Sequence, residues 1–226
     1  MISGLLPGGV IAVEAYGDRW ERELRPEERA LVARAVEKRG REFAAGRNCA
    51  RRALARLGWP DFSVRSGANR EPLWPPGVLG SITHCQGYCA AAVARLDKLD
   101  GIRGLGIDAE LNTPLPDGVI DFVCTPRERR SLVEARKVSV PALVFSAKES
   151  VYKAWFPIFG CWLNYKDAEI DLDPATGRFG VCLLQSAPPE CLRTPLTFTG
   201  RFATTATHVF TLVTANGKVL PEGPKG

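Results

Sequence analysis

The sequence predicts an α+β fold of two similar halves, each with helices packed on a small antiparallel sheet. Helix-period segments precede short strand-like runs in the first hundred residues, and the order of loop, helices, then strands returns in the second hundred. The strand runs are bounded by Gly, Pro, Asn and Asp rather than alternating one by one with helices, which points to antiparallel sheets. Two halves, 1–103 and 104–226, also account for the length of 226 residues.

The first element is a strand-like run from Gly9 to Ala15. Pro26, Glu27 and Glu28 start a helix: proline lacks the N–H that a first turn leaves unused, and acids favour the positive end of the dipole. Helical pattern continues to Leu57 and stops at Gly58, with Gly40 and Gly46 expected to split it. Trp59 to Pro76, rich in Pro, Gly, Asn and Ser, reads as a loop. Val78 to Thr83 and Tyr88 to Ala94 are β-type runs, Asp97 to Gly101 is a turn, and Leu105 to Leu111 is a third strand. In the second half Thr125-Pro126-Arg127-Glu128 forms a capping-box start for a helix to about Lys137, and Ser139 to Trp155 is a helix ended by Pro157. Strands follow at about Ala168 to Leu172, Arg178 to Gln185, Phe198 to Thr204 and His208 to Ala215, with Asp173 to Gly177 as a hairpin loop. The terminal Asn216 to Gly226 reads as a frayed end.

Composition narrows the classes. Apolar content of 45% and charged content of 24% argue against extensive disorder. The N-terminus lacks a basic leader before an apolar segment, and no apolar run approaches membrane-spanning length, so a cytosolic protein is expected. Seven cysteines, an odd number scattered along the chain, read as reduced and mostly buried thiols. Zinc at His84, Cys85 and Cys89 is the sharper alternative, but there is no Cys-x-x-Cys. Eight basic residues between Arg34 and Arg56, within a net charge of +5, suggest an anionic partner or a solvated helix face.

Two stretches carry chemistry. Along Leu105 to Leu111 side chains alternate faces, so Asp108 and Glu110 project together while Ile107 and Ala109 point the other way. Along Phe145 to Trp155 the helical period puts Phe145, Lys148, Glu149 and Tyr152 on one face, with Lys153 one turn beyond Glu149. Three carboxylates suit a hard cation such as Mg²⁺, which shares its octahedron with waters and substrate phosphates while lysines neutralise remaining charge. The expected substrate is a polyphosphate or pyrophosphate ester. Taken singly, such charges are more often solvated surface. Here Asp108 follows apolar residues and Lys148-Glu149 lies among Val144, Phe145, Tyr152, Trp155 and Phe156, so the charges border a core and need partners or a function.

Other motifs fit less well. Gly104-Leu105-Gly106-Ile107-Asp108-Ala109 matches the dinucleotide fingerprint in letters, yet it forms the strand itself instead of opening a helix. A magnesium-dependent nuclease or phosphodiesterase is the competing enzyme class, although its Glu-x-Lys element lies on a strand and this one reads as helical. A non-enzymatic binding module is a third class.

Taken together, Gly80-Ser81-Ile82-Thr83-His84-Cys85, Gly106-Ile107-Asp108-Ala109-Glu110 and Phe145-Ser146-Ala147-Lys148-Glu149-Ser150-Val151-Tyr152-Lys153-Ala154-Trp155 look like the 4′-phosphopantetheinyl transferases in order and spacing. The chain resembles the larger, monomeric, pseudo-dimeric group typified by the surfactin and enterobactin activators, and its actinobacterial members most. Lys38 to Phe43, Arg47, Cys49-Ala50-Arg51 and Glu71-Pro72-Leu73-Trp74-Pro75 add to the likeness, which runs from about Val10 to about Ile170.

The resemblance implies transfer of the phosphopantetheine arm of coenzyme A to a serine of an apo acyl, aryl or peptidyl carrier protein, releasing adenosine 3′,5′-bisphosphate. It implies Mg²⁺ on Asp108, Glu110 and Glu149, with Lys148 and Lys153 balancing phosphate charge. It also implies coenzyme A contacts from Ser81, Thr83 and His84, and from Arg39 and Arg47 at the 3′-phosphate end. Glu149 is the candidate base for the carrier serine, with Lys153 and Asp108 as its catalytic neighbours. Two departures stand out: Arg70 where the family often has Gly before Glu-Pro, and Ser66 where a basic residue is displaced. Tyr152, Trp155 and Trp162 either line a pantetheine tunnel or form core. Carrier proteins, acidic around their serine, would dock on a basic, partly apolar surface; neither nucleic acid nor membrane is expected as a partner.

Overall fold

The structure, a computed structural model, describes residues 1–17, 24–135, 140–184 and 196–217. Strands β1 (Val10–Tyr16), β2 (Val78–Cys85) and β3 (Tyr88–Arg95) form an antiparallel sheet in the order β1-β3-β2. Strands β4 (Ile102–Leu111), β5 (Ala168–Asp173), β6 (Arg178–Leu183), β7 (Leu196–Thr204) and β8 (His208–Gly217) form a second antiparallel sheet, ordered β4-β8-β7-β6-β5. The helices are α1 (Pro26–Arg29), α2 (Glu37–Arg56), α3 (Asp117–Val123), α4 (Pro126–Ala135) and α5 (Val140–Phe159). The α+β expectation is met, with helices on antiparallel sheets in both parts of the chain.

Strand β3 explains how the sheets join. Its run Tyr88-Cys89-Ala90-Ala91-Ala92-Val93-Ala94 is buried throughout, as a strand covered on both faces must be. Cys89, Ala91 and Val93 meet Cys49, Ala50, Ala53 and Leu54 of α2, while Tyr88, Ala90 and Ala92 meet Leu105, Ile107 and Ala109 of β4 and Phe210 and Leu212 of β8. Ile2 and Leu5 close that second core from the N-terminus. Small side chains on β3 let the two layers approach. On the far side Ala147, Val151, Ala154 and Trp155 of α5 pack on Phe198, Val213 and Ala215. Truncating the fully buried Trp155 would cost about 3–5 kcal/mol.

The contact between α5 and β4 is backbone on backbone. A Cβ at Gly106 would stand 1.9 Å from the Ser150 carbonyl oxygen, and one at Gly104 would stand 2.3 Å from that of Ala154. The glycines are required because the helix occupies the space a side chain would fill.

Several elements differ from expectation. The first helical stretch breaks at 33–36, upstream of Gly40 and Gly46, which both lie inside α2. The break is tertiary in origin: the fully buried Glu28 accepts from Arg51, from Arg25 N (3.1 Å) and from Val64 N (3.2 Å), which holds α1 against the loop rather than in line with α2. Gly46 serves packing, since a Cβ there would stand 2.9 Å from a methyl of Ile82. Helix α5 continues through Pro157, because a proline in the last turn forfeits a single bond; Gly160, at φ +64°, then caps the end by donating to Phe156 O (2.8 Å). Helix α3 occupies a stretch with no marked helical period. Asn216 and Gly217, expected to fray, end β8. The remaining tail, the end of the run to Gln185, the helix end near Lys137 and Cys191 lie outside the described residues.

Candidate active site

A cavity of about 480 Å³ opens between α2 and β2 on one side and β4 and α5 on the other. Arg39, Arg47, Ser81, Thr83, His84, Asp108, Glu110, Glu149 and Lys153, nine residues marked from the sequence, line it. Elements far apart in the chain thus bring the acids and the basic groups to one space.

The β4 wall is acidic and tightly held. Asp108 is buried, and its Oδ1 accepts from Lys153 Nζ (2.6 Å) and Thr83 Oγ1 (3.0 Å). Its Oδ2 is buried with no hydrogen-bond partner among the described residues. Burial, then the adjacent Asp108 carboxylate, push Glu110 up to about 7. For Lys153 burial acts downward, but Asp108 and Glu149 outweigh it and hold the ammonium above its usual value. Tyr165 donates its hydroxyl to Glu149, and burial followed by that bond raises the phenol.

Ser81 and Thr83 serve the scaffold. Ser81 Oγ accepts from Ile107 N and Thr83 Oγ1 from Ala109 N, both at 3.0 Å, so their hydroxyls stitch β2 to β4. The resemblance implies coenzyme A contacts from both; both line the cavity as well as bearing these scaffold bonds. His84 Nε2 accepts from Arg39 (2.7 Å), and burial and then the Arg39 charge lower its pKa, so the ring is neutral at pH 7. Arg47 is 5% exposed, lies 4.3 Å over the Phe43 ring and donates to Ser66 Oγ (2.9 Å). Burial pulls it down to about 10, and its Nε has no partner among the described residues.

Lys148 requires correction. Its ammonium does not enter the main cavity: buried, it donates to Glu128 Oε2 (2.7 Å), Val123 O (2.9 Å) and Tyr165 O (2.8 Å), which saturates its three donors. Glu128 also completes the predicted capping box, accepting from Thr125 N (2.7 Å) while Thr125 Oγ1 accepts from Glu128 N (3.3 Å). One helical step, about 100°, separates Lys148 from Glu149, enough to send one side chain toward α4 and the other into the site.

Asp108, Glu110 and Glu149 share the cavity, yet among the described residues no three His, Cys, Asp or Glu side chains stand at metal-holding spacing. Lys153 occupies Asp108, and Tyr165 holds Glu149.

A second cavity of about 410 Å³ lies on the other side of Glu149 and Tyr152, which line both. Phe122, Trp162 and Tyr165 form its aromatic walls, and Trp162 stacks on Tyr152 with centroids 5.2 Å apart and planes at 12°. Trp155 is core and lines neither cavity. Sequence reasoning missed Tyr165 and gave Phe43 no role of its own. Phe43 stands four residues before Arg47 on one helix, a spacing that could have been read; Tyr165 has no periodic relation to Glu149.

Comparison with known proteins places the chain. Residues 27–94 match the family model of the 4′-phosphopantetheinyl transferase N-terminal domain, and residues 104–207 that of the 4′-phosphopantetheinyl transferase superfamily. The chain is 47% identical over 210 residues to 4′-phosphopantetheinyl transferase Svp of Streptomyces mobaraensis, covering 90% of this chain and 84% of that one. It is 41% identical to 4′-phosphopantetheinyl transferase Npt of Nocardia iowensis, over 89% of this chain and 94% of the relative. Identity to 4′-phosphopantetheinyl transferase PptT of Mycobacterium tuberculosis is 40%, over 79% and 82%.

Proposed function

The chain belongs to the 4′-phosphopantetheinyl transferase superfamily, enzymes that modify carrier proteins, and from that premise we propose that it moves the phosphopantetheine arm of coenzyme A onto a serine of an apo carrier protein with the help of Mg²⁺. The observation that carries the reading is one cavity whose lining combines Asp108, Glu110, Glu149 and Lys153 with Arg39, Arg47 and His84. A pyrophosphate ester with a charged nucleotide needs both sets. The helical setting of Lys148-Glu149 on α5 counts against the nuclease alternative.

Asp108 and Glu110 suit a hard cation in donor chemistry: oxygen ligands, one of them a buried oxygen without a partner, and a carboxyl crowded by a neighbouring carboxylate. With Glu149 they would hold Mg²⁺ once Lys153 yields Asp108. Bound there, the ion would supply charge neutralisation for the pyrophosphate and its leaving group.

The protein's own groups carry the remaining roles. Glu149 takes the proton from the carrier serine Oγ as that oxygen bonds to phosphorus and the bond to adenosine 3′,5′-bisphosphate breaks. Tyr165, donating to Glu149, aims the carboxylate. Lys153 and neutral His84 bind phosphate oxygens, and Arg39 and Arg47 bind the nucleotide end. The second cavity, with Tyr152 and Trp162 stacked on its wall, takes the uncharged pantetheine arm. The same reading takes the chain as a cytosolic monomer of two halves, 1–103 and 104–226. Among the described residues no helix is long and apolar enough to cross a membrane.

The test is intact mass spectrometry of apo carrier proteins incubated with the enzyme, coenzyme A and Mg²⁺, beside an EDTA control. A gain of about 340 Da, one phosphopantetheine arm, is expected only with metal. No gain across acyl, aryl and peptidyl carriers would overturn the assignment.

A further inference from the structure

Resting on the transferase reading above, we propose that Glu128 is a positioning residue of the reaction: through its ion pair with Lys148 it fixes the segment that carries Tyr165, and so the direction from which Tyr165 holds Glu149. Glu128 itself lines neither cavity. It is buried, and a carboxylate in such a place needs a cation or several donors around it.

The two partners pin the segment on either side of its turn. Lys148 Nζ donates to Tyr165 O (2.8 Å), and Glu128 Oε1 accepts from Ile170 N of β5 (2.8 Å). Lys148 Nζ and Glu128 Oε2, 2.7 Å apart, join these two anchors. Thr125 N, on the same Oε2 (2.7 Å), ties the pair to the start of α4. Between the anchors Asp167 Oδ2 accepts from Asn164 N (2.8 Å) and Asn164 Nδ2 (2.9 Å), which stiffens the single turn Tyr165–Asp167.

The ring is held as well. The third bond of Lys148, to Val123 O (2.9 Å), fixes the end of α3 beside Phe122, whose ring meets Tyr165 edge-on with centroids 5.6 Å apart. Phe145 of α5 borders the same ring at 5.7 Å. Backbone and ring together direct the phenol hydroxyl to Glu149, to which it donates. What separates this ion pair from one that only stabilises is where its bonds go: to both sides of one short segment, and to the neighbour of the ring that touches the proposed base. A base displaced by about 1 Å can lose about 10²-fold in rate, so the support behind it is felt in the chemistry.

The experiment is single-turnover transfer to an apo carrier protein, with coenzyme A and Mg²⁺, by wild type, Tyr165→Phe, Glu128→Asp and the two changes combined. Calorimetric stoichiometry for coenzyme A counts the folded sites, and melting curves run beside it. Aspartate keeps the charge that Lys148 needs but is one methylene shorter, so it cannot serve Lys148, Thr125 N and Ile170 N together. Tyr165→Phe and Glu128→Asp should each lower the rate per folded site by about 10-fold, with coenzyme A affinity within about 2-fold of wild type. The combined variant should lose no more than about 2-fold beyond either single one, because both changes act through one bond. Lys148→Met with Glu128→Gln, which removes both charges at once, should repeat the Glu128→Asp result. A role in stability alone would lower the melting temperature and the number of sites while leaving the rate per site at the wild-type value, and that result would overturn the proposal, as would losses that multiply in the combined variant. Absence of transfer by the wild-type protein would instead overturn the reading on which it rests.

Discussion

Helices α2 and α5 are each 20 residues long and each lies on an antiparallel sheet, yet they meet their sheets in different ways. Helix α5 sits on the bare backbone of Gly104 and Gly106, whereas α2 meets β3 through Cys49, Ala53 and Leu54 and comes close at the single glycine 46. The chemistry follows that difference. On the α5 side, Lys153 reaches Asp108 at 2.6 Å with helix and strand locked together, so the backbone that carries the charges is fixed. On the α2 side the exposed Arg39 and the loop-borne Arg70 offer reach instead of fixed geometry. A reacting centre needs angles fixed within the fold, while gripping a flexible nucleotide tolerates long side chains.

Predictions break or sharpen this contrast. The largest effect is expected at Glu149: Glu149→Gln should lower single-turnover transfer by about 10²- to 10⁴-fold with coenzyme A binding retained, measured by calorimetry beside the rate. A nearly active variant would remove the base from this helix.

Lys148 tests whether each lysine on α5 serves the site. Lys148→Met strands Glu128 in the core and should cost about 3–5 kcal/mol in urea unfolding. Lys148→Met with Glu128→Gln should recover part of that. Unaltered stability with a raised KM for coenzyme A would return Lys148 to the phosphates.

The glycine seam is tested by two alanines. Gly106→Ala meets backbone and should cost about 3 kcal/mol, a melting temperature about 6–12 °C lower. Gly46→Ala meets a side-chain methyl that can move, and should cost about 1 kcal/mol. Equal costs would show that the two helices sit alike.

The smallest effect is a pH slope on the α2 side. His84, facing Arg39, Glu42, Lys153 and Asp108, is held below the usual value of 6.5, chiefly by burial and then by Arg39. Its folded pKa lies below the unfolded one, so this contribution to stability is complete above pH 6.5 and is lost as pH falls through and below it. His84→Asn should flatten that part of the melting-temperature profile; an unchanged slope assigns it to other groups.

Much of the site was legible because its spacing is local. Alternation put Asp108 and Glu110 on one face of β4, and an i, i+4 step put Glu149 and Lys153 on one side of α5. Lys148 was misread because its partners come from α4, from the end of α3 and from Tyr165, none in periodic relation to it. The break before α2 was missed for the same kind of reason: Glu28 is drawn aside by Arg51 and Val64, which no window around residue 33 contains.

The sequence by itself determined the α+β class, the alternation that pairs the acids and the residue types a pyrophosphate site needs, since these follow from backbone periods of two and 3.6 residues. Only the tertiary structure decided which lysine faces the site, which hydroxyls stitch β2 to β4, and that Arg70 stands at a left-handed position on the cavity wall. Those outcomes depend on which distant group arrives within about 3 Å to satisfy a buried charge or donor, and packing alone settles that choice.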